Sequence, residues 1–142
     1  MQTKVFKPLL DKLFWSVLVI TVFSLAMATI ISAVNVILLI FMILLDAACI
    51  FLLISPLFGY VELGESAVFV KFGLIMSREI PYSSIRGVTK GRGVHSDSMV
   101  SLKNAMEHVN IKHGRFDVTT VSVVGNDELI ALIEERISTV RK

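Results

Sequence analysis

The sequence predicts an α+β protein: a two-helix transmembrane hairpin followed by an antiparallel β-barrel or sandwich capped by a C-terminal helix. Three observations predict it. Residues 13–60 carry a single formal charge, Asp46, and are otherwise almost wholly apolar. After residue 60 the apolar residues alternate with polar ones over short runs separated by Gly, Pro, Asn and Asp, the pattern of half-buried strands. From residue 126 the spacing changes again, and Leu129, Ile130, Leu132, Ile133, Ile137 and Val140 fall on one helical stripe.

Composition agrees. A mean hydropathy of +0.75 is high for a chain of this length, and the excess lies almost entirely before Tyr60. Residues 61–142 hold 21 of the 26 Asp, Glu, Lys and Arg side chains. That shift divides the chain into a basic N-terminus at 1–12, a hairpin at 13–59 and one small domain at 60–142. In the last, eleven basic side chains nearly cancel ten acidic ones, so no field suited to nucleic acid arises. Cys49 is the single cysteine, and no disulfide within the chain can form.

Lys4, Lys7 and Lys12 outweigh Asp11 in the first twelve residues. Basic residues beside a membrane span are held on the cytoplasmic side, so the N-terminus is expected there. Two crossings then return the C-terminal domain to the same side of the cell membrane. Phe14, Trp15 and Tyr60 stand where amphipathic rings favour the interface. A cleaved signal peptide is the competing reading, with a basic start and a small-x-small site at Ala26-Met27-Ala28. Against it, the apolar sequence continues through Ile54, and cleavage would discard half of a matched hairpin.

One bilayer crossing needs about 20 apolar residues, so 13–60 is too long for one and right for two. Ser32-Ala33-Val34-Asn35 is the break, giving helices at 13–31 and 36–58. Asp46 lies eleven positions beyond Asn35, and eleven positions before it is Ser24. Equal rise per residue puts both near the same depth. A carboxylate there costs about 2.5–3.5 kcal/mol on insertion scales, so a hydrogen bond to Ser24 or Thr21 is expected. Asp46, Ser24 and Thr21 therefore form the candidate polar site of the membrane part, either structural or as a proton or ion site.

The soluble part reads as strands at 60–63, 67–72, 75–80, 85–90, 100–102, 108–112 and 117–124. Pro81 ends the third because it cannot donate to a ladder. Residues 91–98 form a loop, and Asn126 is placed to cap the closing helix, with Glu134, Glu135 and Arg136 on its outer side.

Several motifs carry a family resemblance. They are Tyr60-Val61-Glu62-Leu63, Phe72-Gly73-Leu74-Ile75, Ile80-Pro81-Tyr82-Ser83-Ser84-Ile85 and Ser98-x-x-Ser101-Leu102. The chain resembles the bacterial PH-like domains of the YyaB-like type, which follow a membrane hairpin. The resemblance covers 60–137 and implies a PH-like fold with no established enzymatic activity. Val123-Val124-Gly125-Asn126 departs from it, since the family carries an Ile-Ser-Pro turn before the helix.

No catalytic constellation stands out. His95, His108 and His113 lack neighbouring cysteines or paired acids and do not suggest a metal site. Gly87–Gly93 lacks the Gly-Lys-Ser/Thr ending of a phosphate loop and precedes no helix. Ser83-Ser84 has no histidine at a recognisable spacing. No cofactor is therefore expected. The first hairpin loop, Leu63-Gly64-Glu65-Ser66, is acidic, which argues against an inositol-phosphate site there. Arg86, Lys90 and Arg92 are the candidate contacts to anionic lipid. Three functions fit: a non-enzymatic interaction module at the inner leaflet with a protein partner or a second copy; an immunity protein against a membrane-active bacteriocin, which the resemblance implies because similar hairpin-plus-PH proteins include such factors; and an ion- or proton-coupled protein centred on Asp46.

Overall fold

Helices Lys12–Ser32 (α1) and Val36–Ile54 (α2) form the hairpin, and α2 runs on into a single 3₁₀ turn at Ser55–Phe58. The structure, a computed structural model, describes residues 3–95, 98 and 101–141. Ser96, Asp97 and Val100 of the expected loop and strand lie outside the described residues. At 1.5 Å per residue each helix is about 30 Å long. Both are long and apolar enough to cross a membrane, and neither apolar stretch is buried inside the protein. Each starts on a short polar side chain. Asp11 Oδ1 accepts from the N–H groups of Leu13 and Phe14 at 2.9 and 3.3 Å, and Asn35 Oδ1 does the same for Ile37 and Leu38. These bonds satisfy donors that a helix start cannot pair internally.

The stretch read as a basic N-terminus also contains a strand of the first sheet. Lys4–Phe6 (β1) is a strand, paired antiparallel with Tyr60–Leu63 (β2) in the register Lys4 to Leu63, Val5 to Glu62 and Phe6 to Val61. The sheet continues through Ala67–Lys71 (β3) and Ser77–Pro81 (β4), in the order β1-β2-β3-β4. The hairpin is thus inserted between two neighbouring strands of one sheet. Beyond β1, Leu9 donates to the Ser122 carbonyl at 2.9 Å and Val124 donates to the Lys7 carbonyl at 2.9 Å. The N-terminal arm is therefore bonded to both sheets.

A 3₁₀ turn at Tyr82–Ser84 leads into the second sheet. It contains Ile85–Arg92 (β5), Ser101–Leu102 (β6), Glu107–His113 (β7) and Asp117–Val121 (β8), in the order β5-β7-β8-β6. All pairs are antiparallel except β6 with β8. The two sheets pack face to face and do not close into a barrel. The expectation of barrel or sandwich therefore resolves to the sandwich. Pro81 at the corner lacks the N–H that would carry a ladder onward.

Alternation decides the core. Val61 and Leu63 of β2, Val68 and Val70 of β3, and Val109 and Ile111 of β7 are fully buried, with Phe6 beside them. Asn126–Val140 (α3) covers this core with Leu129, Ile133 and Ile137. Three details differ from the sequence expectation. Asn126 does not cap the helix: its Oδ1 accepts from the Val123 N–H at 2.9 Å, while Gly125 before it turns the chain at φ 91°. Val140 is exposed, so the apolar stripe ends near Ile137. Arg136 is buried, not outward.

Candidate functional site

Two side chains fasten the hairpin to the domain. Asp11 caps α1 with one oxygen and takes the Met106 N–H on the other, Oδ2, at 2.8 Å. Ser55, buried just past the end of α2, takes the Leu74 N–H on Oγ at 3.0 Å. The turn between β3 and β4 is closed by a bond from Phe72 N to the Met76 carbonyl at 2.8 Å. Gly73 in that turn has φ 127°, and a Cβ there would lie 2.3 Å from Ser55 Oγ. Only glycine allows both this backbone and this approach. An acidic residue just ahead of the apolar run is a sequence signal for the Asp11 cap. Nothing local foretold its second bond or the role of Ser55.

Within the hairpin, Thr29 Oγ1 donates to Asp46 Oδ2 at 2.5 Å, and Asp46 Oδ1 has no hydrogen-bond partner among the described residues. This corrects the expected pairing with Ser24 or Thr21. Ser24 Oγ donates instead to the Ile20 carbonyl at 2.8 Å, one turn back along its own helix. Asp46 lies ten residues past Val36, about 15 Å along α2, whereas Thr29 lies three before Ser32, about 4.5 Å along α1. Equal counting from the turn therefore does not find the partner: side chains lean toward the N-terminus of their own helix, so Asp46 reaches back toward the turn and Thr29 away from it, which narrows this difference.

Arg86, Lys90 and Arg92 all belong to β5 but do not gather into one patch. At about 3.4 Å per residue, Arg86 and Arg92 stand roughly 20 Å apart along the strand. Lys90 Nζ bonds Asp127 Oδ1 at 2.8 Å and lies 3.8 Å from Glu107 Oε2. Its charge is thus answered within the domain, and the hydrogen bond to Asp127 raises its pKa. Arg92 is at the hairpin end, sharing a hollow with Leu9, Asp11, Lys12 and Met106. Arg86 is at the opposite end, beside the pair Ile85 and His113.

At that far end Arg136 donates through Nη1 to the Gly64 carbonyl and, at 3.1 Å, to the Tyr82 hydroxyl. Tyr82 in turn donates to the Gly64 carbonyl at 3.1 Å. Burial raises the Tyr82 pKa, with Arg136 pulling the other way. The acidic loop after β2 is thus held from beneath by an arginine of α3. His113 is buried, with Nε2 2.9 Å from Thr119 Oγ1, and burial together with the nearby charge of Arg78 lowers its pKa. Among the described residues no three His, Cys, Asp or Glu side chains are grouped so as to hold a metal ion.

No curated protein and no solved structure matches the chain. A family model described as a bacterial PH domain matches residues 60–137, from the start of β2 to the last buried residue of α3. Since that match spans more than half of the sequence, the chain belongs to the bacterial PH domain family.

Proposed function

We propose that this protein is a membrane-anchored, non-enzymatic interaction module, held at the cytoplasmic face by a hairpin that crosses the bilayer twice. The observation that carries the proposal is the pairing of β1 with β2, which lie on either side of the hairpin in the chain. One sheet contains both ends of the insertion, so the hairpin must leave and return on the same side. Lys4, Lys7 and Lys12 favour the cytoplasm as that side. PH domains generally serve as interaction modules, which supports a binding role over a catalytic one. The end far from the hairpin is free to meet a protein partner, and there Phe116 is 82% exposed with the Arg115 guanidinium 5.6 Å from its ring. Aromatic and arginine side chains are the residue types that dominate protein interfaces.

Thiol labelling in intact cells tests the arrangement, using single cysteines on a Cys49→Ser background. Val5→Cys and Phe116→Cys should resist an impermeant reagent until lysis, and Val34→Cys in the hairpin turn should react at once. External labelling at position 5 would contradict the proposal. A photo-crosslinking residue at 116 should give a discrete protein adduct in cells, and its absence would count against a partner at that end. A coupled-ion role is favoured by one observation, that Asp46 Oδ1 has no hydrogen-bond partner among the described residues.

A further inference from the structure

The turn between β3 and β4 carries three consecutive large apolar residues, Leu74, Ile75 and Met76, which are 44%, 67% and 52% exposed. The neighbouring Phe72 packs on the core, whereas these three are not among the residues that form it. Their position is defined by the hairpin. Leu74 N–H is bonded to Ser55 Oγ, and Gly73 lies against the Ser55 backbone. Ser55 directly follows α2, which at 19 residues is about 28 Å long. A bilayer core is about 30 Å thick, so Ser55 falls at the boundary between hydrocarbon and headgroups. The apolar turn is pinned at that same level.

We infer that Leu74, Ile75 and Met76 enter the bilayer interface beside the hairpin and form a third contact of this protein with lipid. The inference rests on the proposed crossing of the bilayer by α1 and α2. The occupant follows from continuity: Leu57 and Phe58 at the foot of α2 are also exposed and apolar, so the turn extends a surface that already faces lipid. The shoulder of the turn fits the same level. Lys71, whose ammonium lies 5.7 Å from the Tyr60 ring centre, stands at the end of β3 that leads into the turn. A long basic side chain there can lay its stem along lipid while its charge reaches anionic headgroups. With two helices and the turn in contact, the domain has three points fixing its orientation to the membrane instead of two.

The test uses the full chain in nanodiscs with lipids brominated or spin-labelled at a shallow or deep position. A polarity-sensitive fluorophore is placed at Ile75→Cys, Leu44→Cys or Phe116→Cys, each on a Cys49→Ser background. Position 75 should give blue-shifted emission quenched most by shallow lipid labels. Position 44, in α2, should be quenched most by deep labels, and position 116 should behave as in water. Quenching at 44 with a water-like signal at 75 would overturn the inference and leave the crossing intact. Blue-shifted emission at 75 without quenching by lipid would mean that protein, such as a second copy, covers the turn, and would also overturn it. Loss of quenching at 44 would remove the crossing itself and the inference with it.

Discussion

Phe6 and Val61 are partners in one antiparallel ladder, although the whole apolar hairpin lies between them in the chain. Both are buried in the same core. The domain is therefore incomplete if it begins at residue 60. Phe6→Ala should destabilise it by about 3 kcal/mol, the usual range for emptying a buried aromatic site. Joining residues 3–9 directly to residue 59 by a short Gly/Ser linker should give a stable soluble domain. Denaturant unfolding compares that chain with a fragment of residues 60–142. Equal stability of the two would show that β1 contributes nothing.

Arg136 supplies the charge-assisted bonds to the Gly64 carbonyl and the Tyr82 hydroxyl. Arg136→Ala should cost about 2–3 kcal/mol, because bonds from a charged donor are lost and only the Tyr82 hydroxyl remains on the Gly64 carbonyl. Arg136→Lys should recover only part of this, since an ammonium lacks the planar fork of donors. Thermal unfolding of the linked soluble domain measures both.

His113 gives the domain a pH dependence of definite sign. Its folded-state pKa is below the ordinary value near 6.5, owing to burial and Arg78. Below about pH 6.5 the unfolded chain therefore binds more protons at this site than the native one, and stability falls as pH falls. His113→Gln should flatten that slope while keeping a bond to Thr119. An unchanged slope in unfolding experiments between pH 7 and 5 would contradict the assignment.

In the hairpin, Asp46→Asn keeps an acceptor for Thr29 and should leave abundance and function unchanged if the pair is only structural. Thr29→Val removes the donor and should cost about 0.6 kcal/mol, typical of bonds between membrane helices. An Asp46→Asn protein that accumulates normally but has lost function would instead favour titration at this carboxylate.

Much of this architecture was legible because long periodic stretches report their own environment. The two apolar helices, the alternating strands β2, β3 and β7, and the stripe of α3 as far as Ile137 fall where their spacing puts them. What was not legible depended on distant partners. Lys4-Val5-Phe6 is too short to show alternation, and only its pairing with β2 makes it a strand. Arg136 stands three residues after Ile133 and so lies on the buried face by spacing, but its charge argued for the outside. Its partners, Gly64 and Tyr82, are far away in sequence. Thr29 was missed because a count of residues from the turn takes no account of the direction in which side chains lean along each helix.

The central claim is that the hairpin is an insertion within the first sheet, which ties both of its ends to one side of the membrane. Val5 and Glu62 face each other across that insertion, and directly opposed strand residues lie within the Cα separation that a disulfide tolerates. The decisive measurement is oxidation of a Val5→Cys/Glu62→Cys double variant, on the Cys49→Ser background, in isolated membranes. The monomer should lose both reactive thiols together, while each single variant keeps its own. A double variant that retains two free thiols under the same oxidant would contradict the claim.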